Sequence, residues 1–255
     1  MRTALVTGAS SGIGAEIARR LDSLGFNVII TARRADRLEA LASELKNKTT
    51  IITADLSDRE ECYRLYGEVK DMGVSVVVNN AGFGLLGNFD DTDLERELSM
   101  LDVNCAAVHI FSKLFIRDFI RRDRGYILNV GSSAGLMPGG PLMASYYASK
   151  AYVVSLTQSI AEELRARGSK ASISVLCPGP VETEFNDVAN CSFAIKGISA
   201  EFCAEYALKG LFARRTVIVP SAGMKLTAAA VRVAPRNIVL RTARTMQSKK
   251  IKDRV

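Results

Sequence analysis

The chain lacks the residue patterns that mark metal centres, disulfide scaffolds and membrane spans. One of its 255 residues is histidine, His109, and its five cysteines, Cys62, Cys105, Cys177, Cys191 and Cys203, are odd in number, scattered and without a C-x-x-C pair. No zinc-type ligand cluster can be assembled from these, so no metal is expected, and reduced thiols in a cytoplasmic protein are the simplest reading. No uninterrupted apolar run approaches ~18 residues, and only five residues stand between Arg2 and a glycine-rich turn. A signal peptide and a membrane span are therefore not expected. Acids are nearly absent from one region. Residues 225–255 hold nine basic side chains against the single acid Asp253, whereas the preceding 224 residues hold 25 basic and 26 acidic ones. The formal charge of +7 thus belongs to a C-terminal tail. That tail has no interleaved aromatics, which argues against nucleic acid as its partner.

What is present fits one ordinary globular unit, 48% hydrophobic and 24% charged. Short β-branched runs at 3–7, 27–31, 50–53, 74–78, 125–130, 171–176 and 216–219 alternate with helix-period segments at 13–24, 35–45, 60–70, 94–121, 145–167 and 200–212. This alternation predicts an α/β fold with a parallel sheet, and the near-continuous apolar strands predict cover on both faces. One domain is expected over residues 1–220, followed by a basic, helix-compatible extension over 221–255 broken at Pro235.

The first strand runs into Thr7-Gly8-Ala9-Ser10-Ser11-Gly12-Ile13-Gly14 and then a helix, which offers bare backbone N–H groups and a helix N-terminus to a pyrophosphate. Nineteen residues past Gly14, where an NAD-specific fold carries an acid for the ribose 2′-hydroxyl, stand Ala32, Arg33 and Arg34. A guanidinium forks onto a 2′-phosphate, so the expected cofactor is NADP(H). Two more loops follow strand ends. Asp55-Leu56 offers an acid to an adenine amino group or, alternatively, a cap to the next helix. Asn79-Asn80-Ala81-Gly82 is small enough for a ligand to approach the backbone.

Tyr146 and Lys150, four residues apart, emerge on one helix face, where an ammonium favours the phenolate and lowers the tyrosine pKa. Tyr66 and Lys70 share that spacing but lack a serine-rich loop upstream, and are expected on a solvated helix face. Before Tyr146 the strand ends in Asn129-Val130-Gly131-Ser132-Ser133-Ala134-Gly135.

Taken together, TGASSGIG at 7–14, NNAG at 79–82, the serine loop, YYASK at 146–150 and CPGPVET at 177–183 resemble the short-chain dehydrogenase/reductase family over nearly the first 220 residues. The resemblance implies a doubly wound Rossmann-type fold that moves a hydride between a nicotinamide cofactor and a carbonyl or alcohol. It implies Tyr146 as general acid or base, Lys150 as the residue that lowers its pKa and binds ribose, and Ser132 as hydrogen-bond donor to the substrate oxygen. Asn104 is implied to hold a water that links the site to solvent, and Pro178, Val181 and Thr183 to contact the nicotinamide end. The family's spacing to the tyrosine selects Ser133 and the motif selects Ser132. Ser132 is preferred because Pro138-Gly139-Gly140-Pro141 can absorb one inserted residue.

Apolar residues Leu136, Met137, Leu142, Met143, Phe185, Val188, Phe193, Ile195 and Ile198 are expected on the substrate side. With few cations there besides Lys196, they favour a lipophilic ketone, steroid-like or acyl substrate. The long helices 94–121 and 145–167 correspond to those through which the family forms homodimers and homotetramers. Two other readings compete: a non-catalytic NADP(H)-binding sensor, and a tail that covers a substrate pocket or contacts an anionic membrane surface.

Overall fold

The computed structural model describes residues 2–184 and 197–248. Its main sheet has seven strands: β1 (Thr3–Thr7), β2 (Asn27–Ala32), β3 (Thr49–Thr53), β4 (Val74–Asn79), β5 (Gly125–Val130), β6 (Ala171–Leu176) and β9 (Val217–Ile218). They lie in the order β3-β2-β1-β4-β5-β6-β9, and every pairing is parallel. A separate two-stranded pair joins β7 (Val181–Glu182) to β8 (Ile198–Ser199).

Side chains alternate across each strand, which is why β-branched and aliphatic residues run unbroken. Ala4, Val6, Val28 and Ile30 face one layer with α1 (Gly12–Ser23), α2 (Ala35–Glu44) and α7 (Ala200–Phe212). Leu5, Ile29, Val77 and Ile127 face the other, with α3 (Arg59–Val69), α5 (Val108–Arg121) and α6 (Ala144–Ala166). Phe111, Phe115 and Phe119 recur every four residues along α5, so all three rings are buried on that layer.

Residues 94–121 depart from the single helix expected there. α4 (Leu94–Leu101) leads into a π-helical turn, Asp102–Ala107, before α5 begins. Leu94–Arg121 is long and apolar enough by composition to cross a membrane, yet the three phenylalanines of α5 lie on the sheet, which marks a core helix of this domain. The extra residue per turn carries the Asn104 side chain into the interior, fully buried.

The extension beyond β9 forms α8 (Ala222–Val233) and α9 (Arg236–Ser248). Pro235 separates them by holding Ala234 extended, at ψ 143°. α9 docks through Val239, Ala243 and Gln247, and α8 buries no residue. In the sheet, β1 and β4 are neighbours although β2 and β3 intervene in sequence. Connections therefore diverge beyond their carboxyl ends and leave a crevice there.

Candidate active site

The crevice is lined first by the β1–α1 turn. Gly8 has φ +64°, and a Cβ on it would lie 2.7 Å from the Ala81 Cα. A Cβ on Gly14 would lie 2.4 Å from the Gly8 carbonyl oxygen and 2.3 Å from Asn80 Nδ2. Both positions therefore need glycine, and the turn is locked to the β4 loop. The Asn80 amide donates to the carbonyls of Thr7 and Gly8, both at 3.0 Å. The Thr7 hydroxyl accepts from the Asn80 and Ala81 N–H groups at 3.0 and 3.1 Å. Ser11, the residue before α1, makes no side-chain cap, and the first turn holds no acid. The helix N-terminus thus keeps its N–H groups and positive dipole for an anion, as a nucleotide pyrophosphate requires. Ile13 packs half-buried on the core, and Gly12 lies against Thr183.

At the β2 end of the crevice Arg33, Arg34 and Arg37 each have an acidic partner. Arg34 donates to Ser10 Oγ at 3.1 Å, Ser11 Oγ at 3.2 Å and Glu184 Oε2 at 3.0 Å. Arg37 pairs with Glu184 at 3.7 Å and Arg33 with Asp55 at 3.8 Å. Partial burial works to raise the Asp55 carboxyl, but hydrogen bonds from the Ser57 N–H and hydroxyl, with Arg33 nearby, outweigh it and hold the group below the ordinary carboxylate range. Asp55 does not cap α3: Asp58 does, accepting from the Glu60 N–H at 2.9 Å. The Leu56 side chain is buried in the core beneath α3, so only its backbone can face a ligand.

At the other end, α6 carries Tyr146 and Lys150, both buried. The Lys150 ammonium donates to the Val130 carbonyl at 3.0 Å and lies 5.9 Å from the centre of the Tyr146 ring. Burial pulls its pKa down from 10.5 to about 8. Asn104 pins the β4 loop: its Oδ1 accepts from the Phe83 N–H at 3.1 Å, and its Nδ2 donates to the Phe83 carbonyl at 2.9 Å and to Ser149 Oγ at 3.1 Å. A Cβ on Gly82 would lie 2.8 Å from Asn104 Oδ1 and 3.3 Å from Lys150 Nζ. Ser132 starts a 3-10 turn, Ser133–Leu136, and its hydroxyl accepts from the Ala134 N–H at 3.1 Å. The Ser133 N–H goes to the Pro178 carbonyl at 2.8 Å. Cys177 beside them is inert, because burial pushes its thiol up to about 12.

The structure therefore gathers all four expected catalytic residues and the expected cofactor loops along one edge of the sheet. Met143 and Tyr146 form a small apolar cluster with Met100, Ala134, Phe83, Leu85 and Leu86. Ile198 departs from the expected substrate wall: it pairs in β8 and packs on the core, as Val181 does. Phe185, Val188, Phe193, Ile195 and Lys196 lie outside the described residues. Tyr66 also departs from expectation, since its hydroxyl donates to Asp118 at 2.9 Å and its ring packs edge-on against Phe115. Sequence reasoning missed Glu184 and Gln247, which bonds the Tyr147 hydroxyl next to Tyr146. For Glu184 a signal existed, an acid directly after the CPGPVET segment.

A strand order of this kind with a glycine turn at its switch point defines a nucleotide-binding, doubly wound protein. Residues 2–191 match the short chain dehydrogenase family. The chain is 34% identical over 192 residues to the 3-oxoacyl-[acyl-carrier-protein] reductase FabG of Rickettsia prowazekii, covering 74% of this chain and 76% of that one. To nodulation protein G of Rhizobium sp. (strain N33) it is 36% identical over 194 residues, covering 74% and 77%. A short-chain dehydrogenase from Sphingobium yanoikuyae in complex with NADPH superimposes with a TM-score of 0.83 at 27% identity, covering 93% of this chain and 95% of that one. The chain belongs to the short-chain dehydrogenase/reductase family of oxidoreductases.

Proposed function

We propose that this protein is an NADP(H)-dependent reductase of a hydrophobic ketone or acyl carbonyl. The observation that carries the reading is the buried Lys150 ammonium beside Tyr146, at the open edge of a nucleotide crevice and against an apolar cluster. When bound, the nicotinamide cofactor supplies the hydride in reduction and takes it up in oxidation. The residues of the chain manage the proton and the oxygen. The Tyr146 hydroxyl donates to the carbonyl oxygen as negative charge grows there, and the Lys150 charge makes that proton easier to release by stabilising the phenolate left behind. The Ser132 hydroxyl, held in place as acceptor of the Ala134 N–H, donates its own hydrogen to the same oxygen, a one-donor oxyanion stabiliser. Both amide hydrogens of Asn104 are committed to Phe83 and Ser149, so a relay water would be held by an acceptor of this residue, its Oδ1 or its backbone carbonyl.

Gly8, Gly12 and Gly14, with Ser10, Ser11 and Ile13, cradle the pyrophosphate. Arg33 and Arg34 receive the 2′-phosphate, Asp55 and Leu56 border the adenine, Asn80 to Gly82 line the ribose side with Lys150, and Pro178, Val181 and Thr183 border the nicotinamide. The preference for NADP(H) rests on the three arginines and on the likeness to the NADPH-bound Sphingobium enzyme. The acyl alternative rests on the likeness to the Rickettsia reductase. Exposed Leu94, Leu98 and Leu101 on α4 and Tyr152 on α6 support a homodimer or homotetramer through those helices. The free thiols of the four described cysteines support a cytoplasmic location.

The deciding experiment follows NADPH and NADH absorbance with aldehydes, steroid ketones and β-keto acyl thioesters. Turnover of a hydrophobic carbonyl with NADPH favoured, abolished by Tyr146→Phe, is the expected result. Activity confined to small polar polyols, or an NADH preference that survives Arg33→Ala, would overturn it.

A further inference from the structure

α8 is apolar on two opposite sides, only one of which meets the rest of the protein. Met224, Ala228 and Val231, at i, i+4 and i+7, are its half-buried inner side. Ala222, Leu226, Ala229, Ala230 and Val233, at i, i+4, i+7, i+8 and i+11, form a continuous apolar stripe on the opposite side. That stripe faces solvent: Leu226 is 74% and Val233 86% exposed. The charge carried by α8 and α9 themselves has one sign. Residues 222–248 contain no acid, and Arg232, Arg236, Arg241 and Arg244 are all exposed. None of the four has an acidic partner among the described residues, in contrast with Arg19, Arg34, Arg64 and Arg165 in the body of the protein. Lys225 is engaged with the Tyr206 hydroxyl at 3.0 Å. Both helices are fixed to the domain: Met224 lies under Gly179, and Gln247 holds Tyr147. The stripe is therefore presented on a docked element.

We propose that α8, with the arginines of α9, docks this protein on an anionic lipid bilayer surface, the apolar stripe entering the headgroup boundary and the arginines meeting the phosphates. A second copy of the chain is a poorer occupant, because pairing two α8 stripes brings Arg232 and its neighbours against their own kind with no acid to offset them. A lipid surface satisfies both halves of the feature, since interfacial helices combine an apolar face with cations and gain from each Lys or Arg near anionic headgroups.

The test is cosedimentation of the full chain with phosphatidylcholine vesicles and with vesicles that also contain phosphatidylglycerol. Binding to the second only, weakened by added salt, is expected. Leu226→Glu with Val233→Glu, and separately Arg232→Glu with Arg236→Glu, should each lower partitioning by about tenfold or more. NADPH binding serves as the check that these surface variants are folded. Absent binding, equal binding to both vesicles, or binding that Leu226→Glu with Val233→Glu leaves intact overturns the proposal. So does light scattering that shows those two substitutions splitting an oligomer, which would assign the stripe to a second copy.

Discussion

Lys150 is 5% exposed, with the Val130 carbonyl as acceptor for its ammonium, and burial lowers its pKa from 10.5 to about 8. At about 1.4 kcal/mol per pH unit, that gap means the folded protein carries roughly 3 kcal/mol of strain for keeping the group charged near neutral pH. Lys150→Met keeps the aliphatic stem and removes the charge. It also strands the Val130 carbonyl, which costs about 1–2 kcal/mol. The variant should therefore be more stable near pH 7 by about 1–2 kcal/mol, or a few degrees in Tm for a chain of this size. It should also be slower by roughly 10²–10⁴ in kcat, the range of a disabled acid–base group. The sign of the pH dependence follows from the protons. Between about 8 and 10.5 the unfolded chain holds a proton on Lys150 that the folded chain has released, so the wild type gains stability as pH rises through that window. Methionine has no such gain, so the variant's advantage shrinks and reverses by about −1 kcal/mol near the top of the window. Urea denaturation of the cofactor-free proteins at a series of pH values measures this directly. A variant that is less stable than wild type near pH 7, or a difference that stays flat through the window, would refute the argument.

Four shorter predictions accompany it. Gly14→Ala, whose methyl would meet the Gly8 carbonyl at 2.4 Å and Asn80 at 2.3 Å, should abolish NADPH binding measured by fluorescence, and unchanged affinity would contradict the cradle. Tyr147→Phe leaves the buried Gln247 amide without its partner, which should loosen α9 by about 1–3 kcal/mol; hydrogen exchange should rise over 236–248 alone. Glu184→Gln frees Arg34 and Arg37 of a competing carboxylate. NADPH should then bind up to about fivefold more tightly, the range of an exposed pair, with NADH affinity unmoved. Ser132→Ala should reduce kcat by roughly 10²–10³ while Ser133→Ala stays near wild type, and the reverse order would reassign the donor.

The seven strands of the main sheet were legible to within a residue or two because a parallel sheet covered on both faces demands unbroken β-branched runs, and glycine turns punctuate them; the short β7–β8 pair, two residues a strand, was not. The juxtaposition of Tyr146 and Lys150 and the glycine turn were legible because both are local: the pair needs only one helix face, and the turn needs only a strand before it and a helix after. Features set by distant contacts were not. Glu184 reaches Arg34 across 150 positions and Gln247 reaches Tyr147 across 100, with no periodicity to reveal either. The π turn at Asp102–Ala107 has no distinctive composition, since the same residues build an α-helix equally well. Helix formation in the tail was readable, but the outward turn of the α8 stripe was not, because periodicity gives a stripe without saying what it faces.

The two ends of the crevice treat charge differently, and that difference decides how substitutions there will act. At the β2 end Arg33, Arg34 and Arg37 are exposed and shared between Asp55 and Glu184, so water screens each interaction and removing one partner redistributes the rest. Under the proposed NADP(H) reading, preference for the 2′-phosphate should accordingly be tunable in small steps. At the chemical end a single ammonium sits in the interior, and no ion pair with an acid offsets its desolvation among the described residues. Its field acts at short range through a medium of low dielectric, so the interaction that destabilises the fold is the same one that reaches Tyr146 with most effect. Relieving that strain by removing the charge, as in Lys150→Met, should therefore stabilise the protein near neutral pH and slow it together, whereas an acid added beside Arg33 should alter cofactor choice and leave kcat nearly unchanged.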